Sequence, residues 1–392
     1  MKPAKRILPL IVFAQFCCTS IWFASNAVME SLLESFDLRS TALGHLTSAV
    51  QLGFIFGTLI FAFLSVADRF SPSKVFLLCT LLGGFFNLGL VWPGNTLASL
   101  VIMRFLAGFC LAGIYPVGMK IAADYYEHGL GKSLGFLVGA LVLGTAFPHF
   151  LHAFIGDLSW VYVVVFISAL AILGGFLIGW FVPDGPYRKA ATGLDLTAIF
   201  KVFRIREFRA AAIGYFGHMW ELYAFWAFVP FILFSYSNLH SDVHLDISIW
   251  SFLIIGIGSL GCILAGYLSI NQGAKKIASL ALAISGFCCL LSPLIFLQSS
   301  SILLITFLLI WGLAVVADSP LFSTMVAQNA PADFKGTALT IVNSLGFALT
   351  IFSIQLLNYF RGAVDAHYLF IVLAIGPILG LSVLWKKKKQ VQ

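Results

Sequence analysis

The sequence predicts an all-α membrane protein of twelve transmembrane helices in two six-helix bundles, on the strength of three observations. Of 392 residues, 60% are hydrophobic and only 10% charged, with a mean hydropathy of +0.99, more apolar mass than a water-soluble core can hide. The apolar residues fall in runs of about 17 to 25 residues or slightly longer, the helix length that a hydrocarbon layer of ~30 Å demands. One polar, basic stretch, Pro183 to Arg209, separates six runs from six, dividing the chain into a bundle of residues 1–182, a linker of 183–209 and a bundle of 210–392.

The spans are read as 8–30, 43–66, 75–93, 97–124, 132–155, 158–182, 210–236, 247–270, 277–297, 301–328, 336–359 and 367–385. The first follows Lys5 and Arg6 as a signal peptide would, but it is too long for the apolar part of one and lacks a small-residue cleavage pattern. In the linker, Leu194 to Phe208 mixes apolar residues with Lys and Arg as an interfacial amphipathic helix does. Cytoplasmic loops carry the excess of Lys and Arg. With the N-terminus inside, that side holds Lys2, Lys5, Arg6, Arg69, Lys74, Lys132, Arg188, Lys189, Lys201, Arg204, Arg206, Arg209, Lys275, Lys276, Lys335 and Lys386 to Lys389, and the outer loops only Arg39 and Arg361. Both termini are therefore expected in the cytoplasm. The net charge of +7 describes this topology and is no footprint for nucleic acid.

The halves echo each other. A shift of about 202 residues lays SPSKVFLL, with Lys74, over GAKKIASL, with Lys276, and FLAGFCLAGIYP (105–116) over FLLIWGLAVVAD (307–318). Transporters built from paired bundles show such repetition and place the solute between the halves.

Polar residues inside the spans are the candidate functional groups, because ionisable side chains at membrane depth cost a few kcal/mol or more and persist mainly beside a water-filled path or a charged partner. In span 1, Trp22 and Asn26 take neighbouring positions on one face near the midplane, as does Gln51 in span 2, and these could line a cavity. Span 4 carries Arg104, with Gly108 one turn on and Tyr115 returning to the same face; a fixed cation there could hold a carboxylate or form a structural ion pair. Lys120 lies near the inner end, where it can snorkel. Span 5 spaces Gly131, Gly135 and Gly139 every fourth residue, with Gly144 beyond, a stripe that lets helices approach closely. His149 and His152 read as solvent-facing at its outer end.

Span 7 contains GHMWELYAFWAF. His218 and Glu221, three apart, share a face, and a carboxyl beside an imidazole suits proton coupling; Trp220 and Tyr223 lie on an adjacent face. Span 10 brings Asp318, followed by Pro320, which predicts a broken helix at that depth; a salt bridge from Asp318 to Arg104 or Lys120 is the alternative. Asn343 in span 11 is a further lining candidate. All seven cysteines fall inside spans, without metal-ligand spacing, and read as packing residues.

Between spans 2 and 3 stands ADRFSPSK, with Asp68, Arg69 and Lys74. It resembles the Asp-Arg signature of the major facilitator superfamily, although Leu64 and Ser71 replace that family's glycines. Arg104 followed by spaced small residues resembles the family's helix 4. The resemblance covers the whole chain and implies the major facilitator fold, alternating access, and a gating role for Asp68, Arg69 and Lys74. IYPVGMKIAADYY and GHMWELYAFWAF look like segments of bacterial permeases grouped with the nitrate, nitrite and cyanate porters, implying a bacterial inner membrane. Nitrate porters, however, clamp their anion with arginines in helices 2 and 8, and spans 2 and 8 here hold none.

The buried cations lie in the N-terminal half and the buried acids in the C-terminal half. The expectation is a proton-coupled permease taking up a small organic anion or zwitterion, with Glu221, Asp318 and His218 coupling, and Arg104, Tyr115, Trp22, Asn26, Gln51, Trp220, Tyr223 and Asn343 around the solute. Proton-driven efflux of an apolar or cationic compound is the alternative, favoured by 39 phenylalanines; a non-transporting membrane sensor would need an interaction domain, and none is visible. With no Gly-rich phosphate loop, GxSxG elbow or clustered metal ligands, neither an enzyme nor a cofactor is expected. A single chain with two bundles can form a pathway as a monomer.

Overall fold

A computed structural model of the protein describes residues 6–125, 130–155, 159–188, 201–331 and 335–385. Eleven helices among them are long and apolar enough to cross a membrane, from Ala42–Phe63 to Ala366–Leu384. Span 1 accounts for the twelfth crossing and departs from the expected single helix. It runs as Ile7–Thr19, Ala24–Ala27 and Met29–Ser35, with turn residues between the first two pieces. In hydrocarbon a broken helix survives only where protein satisfies the freed backbone groups, and this one is buried throughout the break.

Spans 4 and 10, which the internal shift superposes, are both interrupted: Leu97–Leu111 gives way to Tyr115–Tyr125, and Ser301–Ala317 to Ser319–Asn329. Pro320 stands in the first turn of the second piece of span 10, where its missing N–H is no loss. Span 7 is longer than predicted, Arg206–Leu239, so residues 206–208 of the expected linker helix belong to it. Residues 189–200 of that linker lie outside the described residues.

Packing within the first half depends on close backbone approach. Gly53 of span 2 and Gly108 of span 4 face the carbonyls of Phe105 and Val50, and a Cβ at either would collide with backbone. The predicted span 5 stripe behaves differently: Gly144 packs against Phe16 and Thr19 of span 1, whereas Gly135 has nothing within 4 Å of where a Cβ would stand.

The halves meet mainly through span 2 against span 11 and span 5 against span 8. Many of these contacts gather toward the face carrying the odd-numbered loops, predicted to be external. There Gln355 Nε2 donates to Gly44 O at 3.0 Å and to Ser48 Oγ at 2.9 Å, and Asn358 Nδ2 to Thr41 O at 3.1 Å. His152 Nδ1 lies 2.8 Å from Ser248 Oγ, and Phe150 packs on Phe252 with ring centroids 5.1 Å apart. These bonds form a latch across that face. Replacing Gln355 and Asn358 together by Ala is expected to part the bundles there. A cysteine introduced at Ser31, in a background without the native cysteines, should then react several-fold faster with a membrane-impermeant maleimide; an unchanged rate would show that the latch holds nothing closed.

Candidate functional site

Arg104 is fully buried, and its guanidinium is engaged by the break in span 1: one Nη donates to Ile21 O at 3.0 Å and Trp22 O at 2.5 Å, the other to Asn87 Oδ1 at 3.2 Å. Asn87 in turn donates to Ser168 Oγ at 2.9 Å. Carbonyls just past a helix C-terminus carry partial negative charge, and a cation there is favourable. The geometry makes Arg104 a brace for the broken helix, closer to the structural alternative than to the solute-binding one. Lys120 pairs with Asp124 at 3.5 Å, not with Asp318.

From the break, Trp22 projects to the bundle boundary and meets Phe54 of span 2, Tyr223 of span 7 and Phe347 of span 11, at centroid distances of 4.8, 5.6 and 5.7 Å. Phe54 and Phe347 approach to 4.5 Å, and Tyr223 contacts both Phe347 and Trp226 at 5.2 Å. Rings from both halves thus form one plug, each pair worth ~1 kcal/mol beyond burial. Above it a cavity of about 490 Å³ reaches in from the same face as the latch, lined by Glu30, Glu34, His149, His152, Phe231 and Arg361 and descending to Asn26 and Ala227. His149 is therefore not solvent-facing as the sequence suggested; it is 2% exposed at the cavity wall, with Nε2 unpartnered.

The two acids part company. Glu221 turns into the C-terminal half and accepts from Trp311 Nε1 at 2.6 Å, Ser285 Oγ at 2.9 Å and Cys289 Sγ at 3.4 Å. Despite their shared face, His218 turns to Asp318 instead, with Nδ1 2.7 Å from Oδ1, both side chains essentially unexposed. That contact is short without hydrogen-bond alignment, and His218 Nε2 and Asp318 Oδ2 have no partner among the described residues. Asp318 stands at the interruption of span 10, where its carbonyl accepts from Leu321 and Phe322 N–H. The expectation that both carboxyls face an aqueous passage is not met in this conformation, since Glu221 and Asp318 are each 0% exposed.

Other candidates divide. Asn26 Nδ2 donates to Thr47 Oγ1 at 2.9 Å, leaving its Oδ1 unpartnered, and Gln51 is fully buried with both amide atoms unpartnered. Tyr115 is half-buried, near enough to Tyr215, Tyr223 and Cys262 to interact electrostatically. Asn343 is half-buried, one turn before Phe347. Trp220 leaves the group: its indole donates to Val372 O at 3.1 Å, toward span 12. Arg69 and Lys74 are exposed, and the Asp68 side chain lies outside the described residues. Beside them, Asp184 accepts from Ser71 at 2.6 Å and Arg188 at 2.7 Å, and Arg188 also reaches Phe70 O at 2.8 Å. Sequence reasoning missed Asn87, Gln355 and Asn358, each a carboxamide within or at the end of an apolar span, and the rings of Phe54 and Phe347, which nothing in the sequence separates from the other phenylalanines.

The family model described as Major Facilitator Superfamily matches residues 11–354. Among solved structures, a bacterial homolog of the human lysosomal transporter Spinster, inward-facing and occupied, superposes with a TM-score of 0.72 at 13% identity, covering 97% of this chain and 95% of that one. Its unoccupied form gives 0.70 at 14% with the same coverage. A mutant of the nucleoside transporter NupG gives 0.72 at 15%, covering 97% of this chain and 99% of that one. No curated protein matches the sequence.

Replacing Arg104 by Ala strands the Trp22 carbonyl and leaves the Ile21 carbonyl only the Ala24 N–H at 3.4 Å, at about 1–3 kcal/mol for each buried group left unpaired. Thermal unfolding in detergent should show a loss of about 3 kcal/mol, with Arg104→Lys recovering part of it because it keeps the charge and loses the fork. An Arg104→Ala protein as stable as the parent would contradict the bracing role.

Proposed function

The chain belongs to the Major Facilitator Superfamily and is a membrane-embedded secondary transporter, and we propose that it couples solute uptake to protons through the His218–Asp318 pair. The observation that carries this reading is a buried imidazole–carboxylate contact of 2.7 Å at the interruption of span 10. Sharing one proton, the pair has no net charge and tolerates burial; an unshared charge there costs several kcal/mol. Its two unpartnered atoms leave a place for a proton to arrive or depart when the bundles rock and water reaches one side. Glu221, with three donors on its carboxyl, is assigned instead to holding spans 7, 9 and 10 together.

The solute is proposed to sit between the halves, against Trp22, Asn26, Gln51, Tyr115, Tyr223 and Asn343. The anion or zwitterion expected from the sequence relied on Arg104, whose Nη donors are occupied by Ile21, Trp22 and Asn87, so that ground for it is withdrawn. Asp68, Arg69 and Lys74, with Asp184 and Arg188 beside them, are proposed as the gate on the opposite, cytoplasmic face of a bacterial inner membrane, with one chain forming the pathway.

The test uses proteoliposomes carrying a trapped pH indicator, to which uracil, benzoate, alanine and choline are added in turn. At least one is expected to drive proton movement inward. Asp318→Asn and His218→Ala should reduce that movement at least tenfold, each removing one member of the pair, whereas Glu221→Gln should keep coupling and lose thermal stability. Normal proton movement in Asp318→Asn would defeat the assignment.

A further inference from the structure

We infer that the solute is an uncharged planar heterocycle bearing an amide edge, recognised by Gln51 of span 2, which stands one helical turn from Phe54 of the aromatic plug and one turn from Thr47, the partner of Asn26. This rests on the transport reading above and adds the chemical class of the solute. Gln51 is 0% exposed, yet neither its Nε2 nor its Oε1 has a partner among the described residues. More than nine in ten buried polar groups are satisfied, and each unsatisfied one costs about 1–3 kcal/mol. Trp22 and Trp226, which both pack on Tyr223, also leave their indole N–H groups unpartnered, and Asn26 leaves its Oδ1 so. Orphaned donors and acceptors on residues that touch the plug mark groups that a solute completes.

The chemistry of these groups selects the solute. All are neutral, and together they offer both donors and acceptors. The nearby cation, Arg104, is bonded to the carbonyl of Trp22 itself, which disfavours a positive ligand against that residue, and it keeps only its Nε unpartnered, a single donor and no fork for a negative one. The rings select for flatness: Trp22 and Phe347 face each other at 24° with centroids 5.7 Å apart, one from each half. When the bundles part, these become two walls of a slot, and a flat ring entering it replaces one stacked contact by two. Its amide edge then exchanges a donor–acceptor pair with the Gln51 carboxamide. Asn26, at the bottom of the cavity, offers the next acceptor, and the cavity's volume of about 490 Å³ lies within the range of small-molecule sites.

The experiment is equilibrium binding of tritiated uracil and hypoxanthine to the purified full chain, with benzoate, alanine and choline as competitors. Saturable binding of at least one heterocycle, unaffected by the three competitors, is expected. A site built to hydrogen-bond discriminates strongly against loss of the partner, so Gln51→Met, close in shape and without the amide, should bind at least roughly tenfold more weakly while unfolding no earlier than the parent. Phe347→Ala should weaken binding as well. The inference falls if neither heterocycle binds, meaning that water alone satisfies Gln51, if a competitor displaces them, or if Gln51→Met binds like the parent. Should benzoate or alanine drive protons into liposomes while the heterocycles fail to bind, the transport reading stands and this inference does not. Binding of a heterocycle with no proton movement from any compound gives the converse.

Discussion

Satisfaction of backbone carbonyls inside a hydrocarbon layer governs this molecule. Water is not there to complete a broken helix, so every interruption must be closed by protein. The turn at residues 20–23 exposes carbonyls at the level where the bundles meet, and the Arg104 guanidinium closes it. Trp22 owes its position at the bundle boundary to that closure. So do the plug it forms with Phe54, Tyr223 and Phe347 and the floor of the cavity above.

The same rule separates structural from functional polarity. Glu221 has a donor for each carboxylate oxygen, supplied by three side chains of its own half, and such a group is comfortable where it is. Asp318, His218 and Gln51 are equally buried but retain unpartnered atoms. A buried polar group left incomplete in one conformation is stabilised by whatever completes it in another, which is the property a transport cycle requires. Span 10 adds to this by placing Asp318 at a helix junction, where a small rotation changes what the carboxyl faces.

Much of the fold was legible in the sequence because hydropathy and bilayer thickness act through length alone. Eleven of the twelve spans follow from that, and the interruption before Pro320 follows from the proline itself. The break in span 1 was not legible: nothing in CCTSIWFASN demands a turn, and Arg104, 82 residues after Trp22, supplies the donors that close it. For the candidate site, residue type found the right side chains more often than the right partners. Equal spacing on a helix put His218 and Glu221 together, yet side chains three apart diverge by some 60° around the axis, enough for one to meet span 10 and the other span 9. Which phenylalanines form the plug depends on tertiary packing, which periodicity cannot report.

The two halves are mechanically unequal. In the first, the interruption of span 1 is cross-tied to spans 3 and 4 through Arg104 and Asn87, so its inner wall moves as a block. In the second, span 7 is one unbroken rod of 34 residues, and span 10 is interrupted as span 4 is in the first, here beside the His218–Asp318 pair. A stiff anvil thus faces a compliant hammer. Under the coupling proposed above, a proton gradient would act by bending the second half, with the first serving as the fixed reference against which that bend becomes displacement of cargo.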